Sequence, residues 1–163
     1  MLKMIMAANE KGLIGNKNKL PWHISEELTL FKETTVNNIL IMGRKTWDSL
    51  PIKPLPKRES IVISRQERTD DVPKSVHWCN SFESALDLAK KIAGDRDIFV
   101  IGGASIYEEA LEHVEEIILS IVYGEHVGDV YFPISKIKNN FLKNKIEINK
   151  SEKFVTHYYH KKK

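Results

Sequence analysis

The chain has one cysteine, Cys79, in 163 residues, which excludes an internal disulfide and any cysteine-cluster metal site. Its six histidines (His23, His77, His113, His126, His157 and His160) have no zinc-like spacing, so no metal is expected. No apolar run reaches the roughly 20 residues that a membrane helix needs. The N-terminal MLKMIMAA is apolar but short and interrupted by Lys3. It reads as a strand rather than a signal peptide, and a cytoplasmic protein with no membrane partner is expected. No internal repeat is visible. Neither sign of charge dominates: the net charge is +3, although residues 134–163 carry nine lysines and two acids, +7, leaving −4 elsewhere. A basic segment can mark a nucleic-acid partner. Here Phe141, Phe154, Tyr158 and Tyr159 are the only aromatics and the lysines are not interleaved with them as a base-stacking surface would need, so the segment reads as a solvated strand pair and no obligatory nucleic acid is expected.

Hydrophobic residues at 42% and charged residues at 29% suit one globular domain with a real core, and with no large apolar patch evident a monomer is expected. Strands are expected over Leu2 to Ala8, Asn38 to Met42, Ser60 to Ser64, Val76 to Cys79, Asp97 to Ile101 and Glu116 to Val122, with another beginning at Val130 to Phe132. Lys145 to Lys150 and Lys153 to His160 read as a closing antiparallel pair. Helices are expected over Ile24 to Thr35, Gly43 to Leu50, Ser81 to Ala93 (capped by Ser81, closed by Gly94) and Ala104 to Glu112. Asn9 to Trp22 and Gln66 to Lys74 read as loops. The alternation implies an α/β three-layer sandwich. Its mixed, mainly parallel sheet has about eight strands, an antiparallel C-terminal edge and about four flanking helices.

One residue in LPWHISEELTLFKETT (Leu20 to Thr35) is out of place. At about 100° per residue, with Glu27 at zero, Phe31 falls near +40°, Ile24 near +60°, Leu28 near +100° and Leu30 near −60°. Glu27 sits mid-way across the apolar face, while Glu26, Thr29, Lys32 and Glu33 take the opposite arc. Ser25 is a plausible N-cap, and acids in a first turn favour the helix dipole, which accounts for Glu26. A carboxylate on an apolar face needs a partner. Either an arginine supplies it as a structural ion pair, or a ligand does.

Two turns have the chemistry of phosphate sites. In Gly43-Arg44-Lys45-Thr46 a strand turns into a helix start with two cations and a hydroxyl. In Gly102-Gly103 the strand DIFVI does the same, without the full GxGxxG fingerprint. A surface basic pair at a tight turn and a simple packing turn remain the other readings.

The segments LIGNKNKLPWHISEELTLFK, ILIMGRKTWDSL, PLPKRESIVIS, VIGGASIYEEAL and HVGDVYFP follow one another along nearly the whole chain. Together they resemble the bacterial-type, single-domain dihydrofolate reductase family. That resemblance implies one domain over residues 1–163, with an adenosine-binding part at roughly 38–93. It places Glu27 against the pterin N3 and 2-amino group, Ser120 on the acid, and Trp22 beside a water near the pterin. Leu20 and Tyr107 complete the implied catalytic group. Ile5, Ala7, Leu28, Phe31, Lys32, Leu50, Leu55 and Ile101 are implied around the substrate, with Arg58 on its glutamate α-carboxylate. Arg44, Lys45 and Thr46 are implied on the NADPH phosphates, with Ser64 and Arg65 near the 2′-phosphate and a cis Gly102-Gly103 turn beside the cofactor. Ala7, Ile14, Ser49, Ile101 and Tyr107 would surround the nicotinamide. Gly15, Asn18, Leu20, Gly43, Ala104, Ser105 and Ile106 complete the implied cofactor set. The segment from Asn9 to Ile24 is implied to be a mobile loop docking on Gly128 and Asp129.

The implied reaction is NADPH-dependent reduction of 7,8-dihydrofolate to tetrahydrofolate, which supplies one-carbon carriers for thymidylate, purine and amino-acid synthesis. Antifolates of trimethoprim or methotrexate type are the implied inhibitors. The chain has Glu27 where many bacterial members have Asp, Leu20 where Met is common, and Ser120 where Thr is common. Two other readings are carried: a reductase of the same fold acting on another heterocycle, which leaves Arg58 without a purpose, and a non-catalytic nucleotide- or RNA-binding module.

Overall fold

The structure is a computed structural model, and it describes residues 1–66, 73–144 and 151–162. The strands are β1 (Leu2–Asn9), β2 (Leu13–Gly15), β3 (Ile39–Gly43), β4 (Glu59–Ile63), β5 (Val76–Cys79), β6 (Ile98–Gly102), β7 (Glu116–Val122), β8 (Val130–Tyr131), β9 (Phe141–Lys143) and β10 (Phe154–Lys161). The helices are α1 (Ser25–Thr35), α2 (Arg44–Ser49), α3 (Phe82–Ile92), α4 (Ala104–Ala110) and α5 (Ser135–Asn140). Eight strands form one sheet in the order β5-β4-β3-β6-β1-β7-β10-β9. All neighbours from β5 to β7 run parallel, while β10 pairs antiparallel with both β7 and β9.

Period-2 alternation divides the core into two layers about this sheet. Leu2, Met4, Met6 and Ala8 of β1 face one side, where they join Phe82, Leu86 and Ala89 of α3 and Ile106, Tyr107 and Ala110 of α4. Ile5 faces the other side, with Leu40, Met42, Val62 and Phe99, and is covered by Trp47 of α2 and Phe31 of α1. The central strands are buried on both faces, which is why they read as near-continuous apolar runs.

Two expectations need revision. Ser25 does not cap α1: Ile24 holds the N-cap position with extended backbone and no side-chain cap. Ile24 is buried with Trp22, Leu13 and Phe154, and that packing fixes the helix start one residue earlier, leaving Ser25 inside the first turn. The stretch Asn9 to Trp22 is not wholly loop, because β2 within it pairs with β8 as a two-stranded ribbon. The described helices number five, since α5 lies between β8 and β9. The strand pairing with β10 is Phe141–Lys143. The expected strand at 145–150 lies outside the described residues, as do 67–72 of the polar loop and Lys163.

Elsewhere the boundaries agree closely. Ser81 caps α3 through a reciprocal capping box with Ser84. Gly94 follows with φ +59, the left-handed conformation suited to glycine at a helix end.

Candidate active site

The carboxyl ends of β1, β3, β4 and β6 open into a cavity of about 800 Å³. Ligands of open α/β sheets gather at this edge. Every residue the resemblance implied for the cofactor lines it, from Ala7, Ile14, Gly15, Asn18 and Leu20 through Gly43, Arg44, Lys45, Thr46 and Ser49, then Ser64 and Arg65, to Ile101 through Tyr107. The lining has four cations, Lys19, Arg44, Lys45 and Arg65, against one acid, Glu109. That donor set fits a polyphosphate ligand. Gly43, the N-cap of α2, brings no side-chain cap to the helix start.

Glycine lets two turns approach each other here. A Cβ at Gly43 would meet Ile106 at 3.2 Å, and one at Gly102 would meet the Thr46 hydroxyl at 3.3 Å. Gly102 has φ +132, and its bond to Gly103 is cis. Lys19, Ile63, Asn80, Ser81, Phe82, Glu109 and Val130 also line the cavity and were not anticipated. A signal for Asn80 and Ser81 was present: they follow β5 as Ser64 and Arg65 follow β4, so parallel pairing brings both turns to one edge.

Beside the cavity, α1 faces the sheet. Glu27 is 7% exposed, among the few buried polar residues, whereas Glu26 is exposed. No hydrogen bond or ion pair reaches Glu27 from the described residues, so the arginine alternative is not realised. Burial alone pushes its carboxyl from the ordinary 4.5 up to about 7. Tyr107 lies close enough that the Glu27 charge adds to burial in raising its hydroxyl. That hydroxyl sits between the carbonyl oxygens of Ile5, at 2.9 Å, and Ile101, at 2.8 Å, bracing β1 against β6.

Ile5, Phe31, Leu50, Leu55 and Ile101 pack together beside Glu27's helix. Ala7 packs with Trp22 and Ile24, Leu28 is half-buried and Leu20 is exposed. The Trp22 indole is buried, and its Nε1 has no hydrogen-bond partner among the described residues. Ser120 is a correction. Its hydroxyl pairs with Thr156 Oγ1 at 2.8 Å rather than with Glu27. The two are directly opposed in the β7–β10 ladder, and buried hydroxyls pair with what stands across from them.

Arg58 reaches α1 from the connector before β4. Its Nε donates to Thr35 Oγ1 at 3.1 Å, one terminal nitrogen to the Pro56 carbonyl at 2.5 Å, and the other to the Lys32 carbonyl at 2.6 Å. A guanidinium has five N–H donors. Three are used, which leaves one on each terminal nitrogen to offer to a carboxylate. Lys32 contributes its carbonyl here, and its side chain is exposed.

The docked loop is held by short-range pairings. The Asp129 amide donates to the Gly15 carbonyl at 3.0 Å, and the Lys17 amide donates to Asp129 Oδ1 at 3.2 Å. Gly128 leaves no room between the segments, since a Cβ there would lie 2.4 Å from the Gly15 carbonyl oxygen.

A cavity of this size and charge suits a dinucleotide, and the adjoining lone carboxylate suits a ring edge with paired N–H donors. The class so defined is a nicotinamide-dependent reductase on an α/β sheet. The family model for dihydrofolate reductase matches residues 1–162, and the chain belongs to the dihydrofolate reductase family. Among its relatives, the Mycoplasma genitalium dihydrofolate reductase is 36% identical and covers 99% of each chain. That of Neisseria meningitidis serogroup A is 42% identical over 82% of this chain and 80% of its own. A solved structure, dihydrofolate reductase from Enterococcus faecalis complexed with NADP(H) and RAB-propyl, is similar with a TM-score of 0.84 at 29% identity, covering 100% of this chain and 97% of the other. Among the described residues no helix is long and apolar enough to cross a membrane.

Proposed function

We infer that the protein reduces 7,8-dihydrofolate to 5,6,7,8-tetrahydrofolate with NADPH. The observation that carries this reading is Glu27, a buried carboxylate with no partner among the described residues, beside a cationic cavity of dinucleotide size. A pterin edge presenting N3–H and a 2-amino group pairs with that carboxylate bidentately and offsets its burial. Arg58 holds the far end of the substrate through its two unused N–H groups.

Arg44, Lys45, Thr46, Ser64 and Arg65 hold the phosphates of the cofactor, and Ala7, Ile14, Ile101 and Tyr107 surround its nicotinamide. Bound there, NADPH supplies a hydride to C6 of the pterin. The chain's own share is binding, orientation and exclusion of water. Glu27 orients the ring and favours its reactive, protonated form by charge. The Tyr107 hydroxyl is committed to the Ile5 and Ile101 carbonyls and held neutral by burial, so water reaching N5 beneath the Asn9 to Ile24 segment donates the proton. Ser120 supports β7 through Thr156 rather than acting on the acid.

The same reading includes a single-domain monomer acting in the cytoplasm, with residues 38–93 as the adenosine-binding part, and antifolates that compete at Glu27. The test is the fall in absorbance at 340 nm when NADPH and dihydrofolate are mixed with the purified protein. Oxidation that depends on dihydrofolate and is blocked by an antifolate is the expected result. NADPH binding without oxidation would redirect the reading to another heterocycle.

A further inference from the structure

Trp78 does not line the cavity, yet it touches both cationic turns of the adenosine side. The Arg44 guanidinium lies 5.2 Å from the indole centroid, within cation–π reach. Arg44 Nε also bonds Asp48 at 3.2 Å, so the guanidinium is held between a ring face and a carboxylate. The Trp78 Nε1 donates to the Gln66 carbonyl at 3.2 Å, and the Gln66 amide donates to Ser64 Oγ at 3.2 Å. One indole therefore fixes the turn that carries Ser64 and Arg65 as well as Arg44. It is itself fixed: Trp78 stands opposite Val62 in the β4–β5 ladder and meets Trp47 of α2 edge-on, with centroids 6.2 Å apart.

We propose that Trp78 is a positioning residue that sets the preference for a dinucleotide bearing a phosphate on its adenosine ribose over one without it. The proposal rests on the NADPH reading above and deepens it. A free arginine side chain loses rotamer freedom when it captures a phosphate. One already stacked on an indole loses less, so the bond forms at smaller entropic cost. Trp78 changes no charge, so long-range attraction for the diphosphate is untouched. Its effect is confined to what Arg44 and the Ser64–Gln66 turn grip, the group that NADH lacks.

The test measures Kd for NADPH, NADH, 2′-AMP and AMP on the full-length protein, as wild type, Trp78→Leu, Trp78→Phe, Arg44→Ala and the Trp78→Leu/Arg44→Ala double variant. Trp78→Leu is expected to weaken NADPH about fivefold and NADH by less than about twofold. Trp78→Phe keeps a ring face and is expected to restore about half of that loss on a logarithmic scale. In the Arg44→Ala background Trp78→Leu is expected to add only about half of its loss on a logarithmic scale, the part that passes through the Gln66 carbonyl rather than through Arg44. Equal losses for NADPH and NADH, or additivity with Arg44→Ala, overturn the proposal while leaving the cofactor reading intact. Should Trp78→Leu not fold, Trp78→Phe carries the test on 2′-AMP against AMP, and equal loss for both overturns it. A wild type that binds NADPH and NADH equally removes the cofactor reading and the proposal together.

Discussion

Arg58 Nε donates to Thr35 Oγ1 at 3.1 Å, and the same hydroxyl donates to the Phe31 carbonyl at 2.8 Å. Thr35 is fully buried, so its hydroxyl is committed to these two partners. Thr35→Val keeps the shape and removes the acceptor. Arg58 then loses one of three anchors but keeps its charge. The expected result is a KM for dihydrofolate about three- to tenfold higher, with kcat and the NADPH KM within about twofold and stability lower by about 1 kcal/mol. Steady-state kinetics in both substrates checks it; an unchanged dihydrofolate KM would show that Thr35 does not position Arg58.

Glu27 makes opposite predictions for stability and for turnover. Its carboxyl rises from 4.5 to about 7 on folding, so the native chain binds more protons than the unfolded chain between those values. Wild-type stability therefore falls as pH rises through that window, and it is fully retained only below about 4.5. At 1.36 kcal/mol per unit the shift is worth about 3 kcal/mol above pH 7. Glu27→Gln carries no such charge. Denaturant unfolding of the ligand-free protein should find the variant more stable than wild type at pH 8, with the gap closing below pH 5. Turnover should run the other way, strongly reduced at neutral pH and least reduced at low pH, where the substrate is already protonated. A gap that does not change with pH would remove the assigned cause.

How much of this was legible in the sequence depends on which physics fixed each feature. Glu27 could be placed on an apolar face because helical spacing is local. The bounds of β5 and β7 matched because short runs bounded by turns leave little choice. The cofactor lining could be carried over because it follows strand ends, which parallel pairing brings to one edge. A strand was expected from Val130, but β2 and its pairing with β8 could not be read, since the two strands are three and two residues long and lie far apart in sequence. The residues SKIKNN of α5 bury only Ile137, too little for an apolar period. The partner of Ser120 is decided by register with a strand 36 residues on, which no local pattern encodes. Trp78 was passed over for the same reason: its contacts join two turns that lie apart in the sequence, at Arg44 and at Gln66.

Gly128 is the point where the active-site loop and the 124–129 loop touch. A Cβ there would stand 2.4 Å from the Gly15 carbonyl oxygen and 2.5 Å from Leu13 Cδ1. Leu13 is fully buried and the carbonyl is backbone, so neither yields cheaply. Gly128→Ala should push the segments apart and loosen the Asp129–Gly15 pairing. A fall in the single-turnover hydride-transfer rate of about tenfold or more is expected, with a stability loss of about 1–3 kcal/mol. Stopped-flow measurement under saturating NADPH tests this. A wild-type rate would mean that the contact does not support the closed loop.

Arg44 and Lys45 open α2 at the cationic side of the cavity. If they hold phosphate, replacing both by alanine costs NADPH two charge-assisted contacts, while NADH loses only what it shares. The expected outcome is a Kd for NADPH raised about ten- to a hundredfold and one for NADH raised less than about threefold. Lys45 is exposed and Arg44 half-buried, so salt should screen them in part. Raising ionic strength should then weaken NADPH on the wild type more than on the double variant. Isothermal titration at two salt concentrations separates the contributions. Equal losses for the two cofactors at both salts would place these cations on the shared diphosphate and leave the ribose phosphate to Arg65.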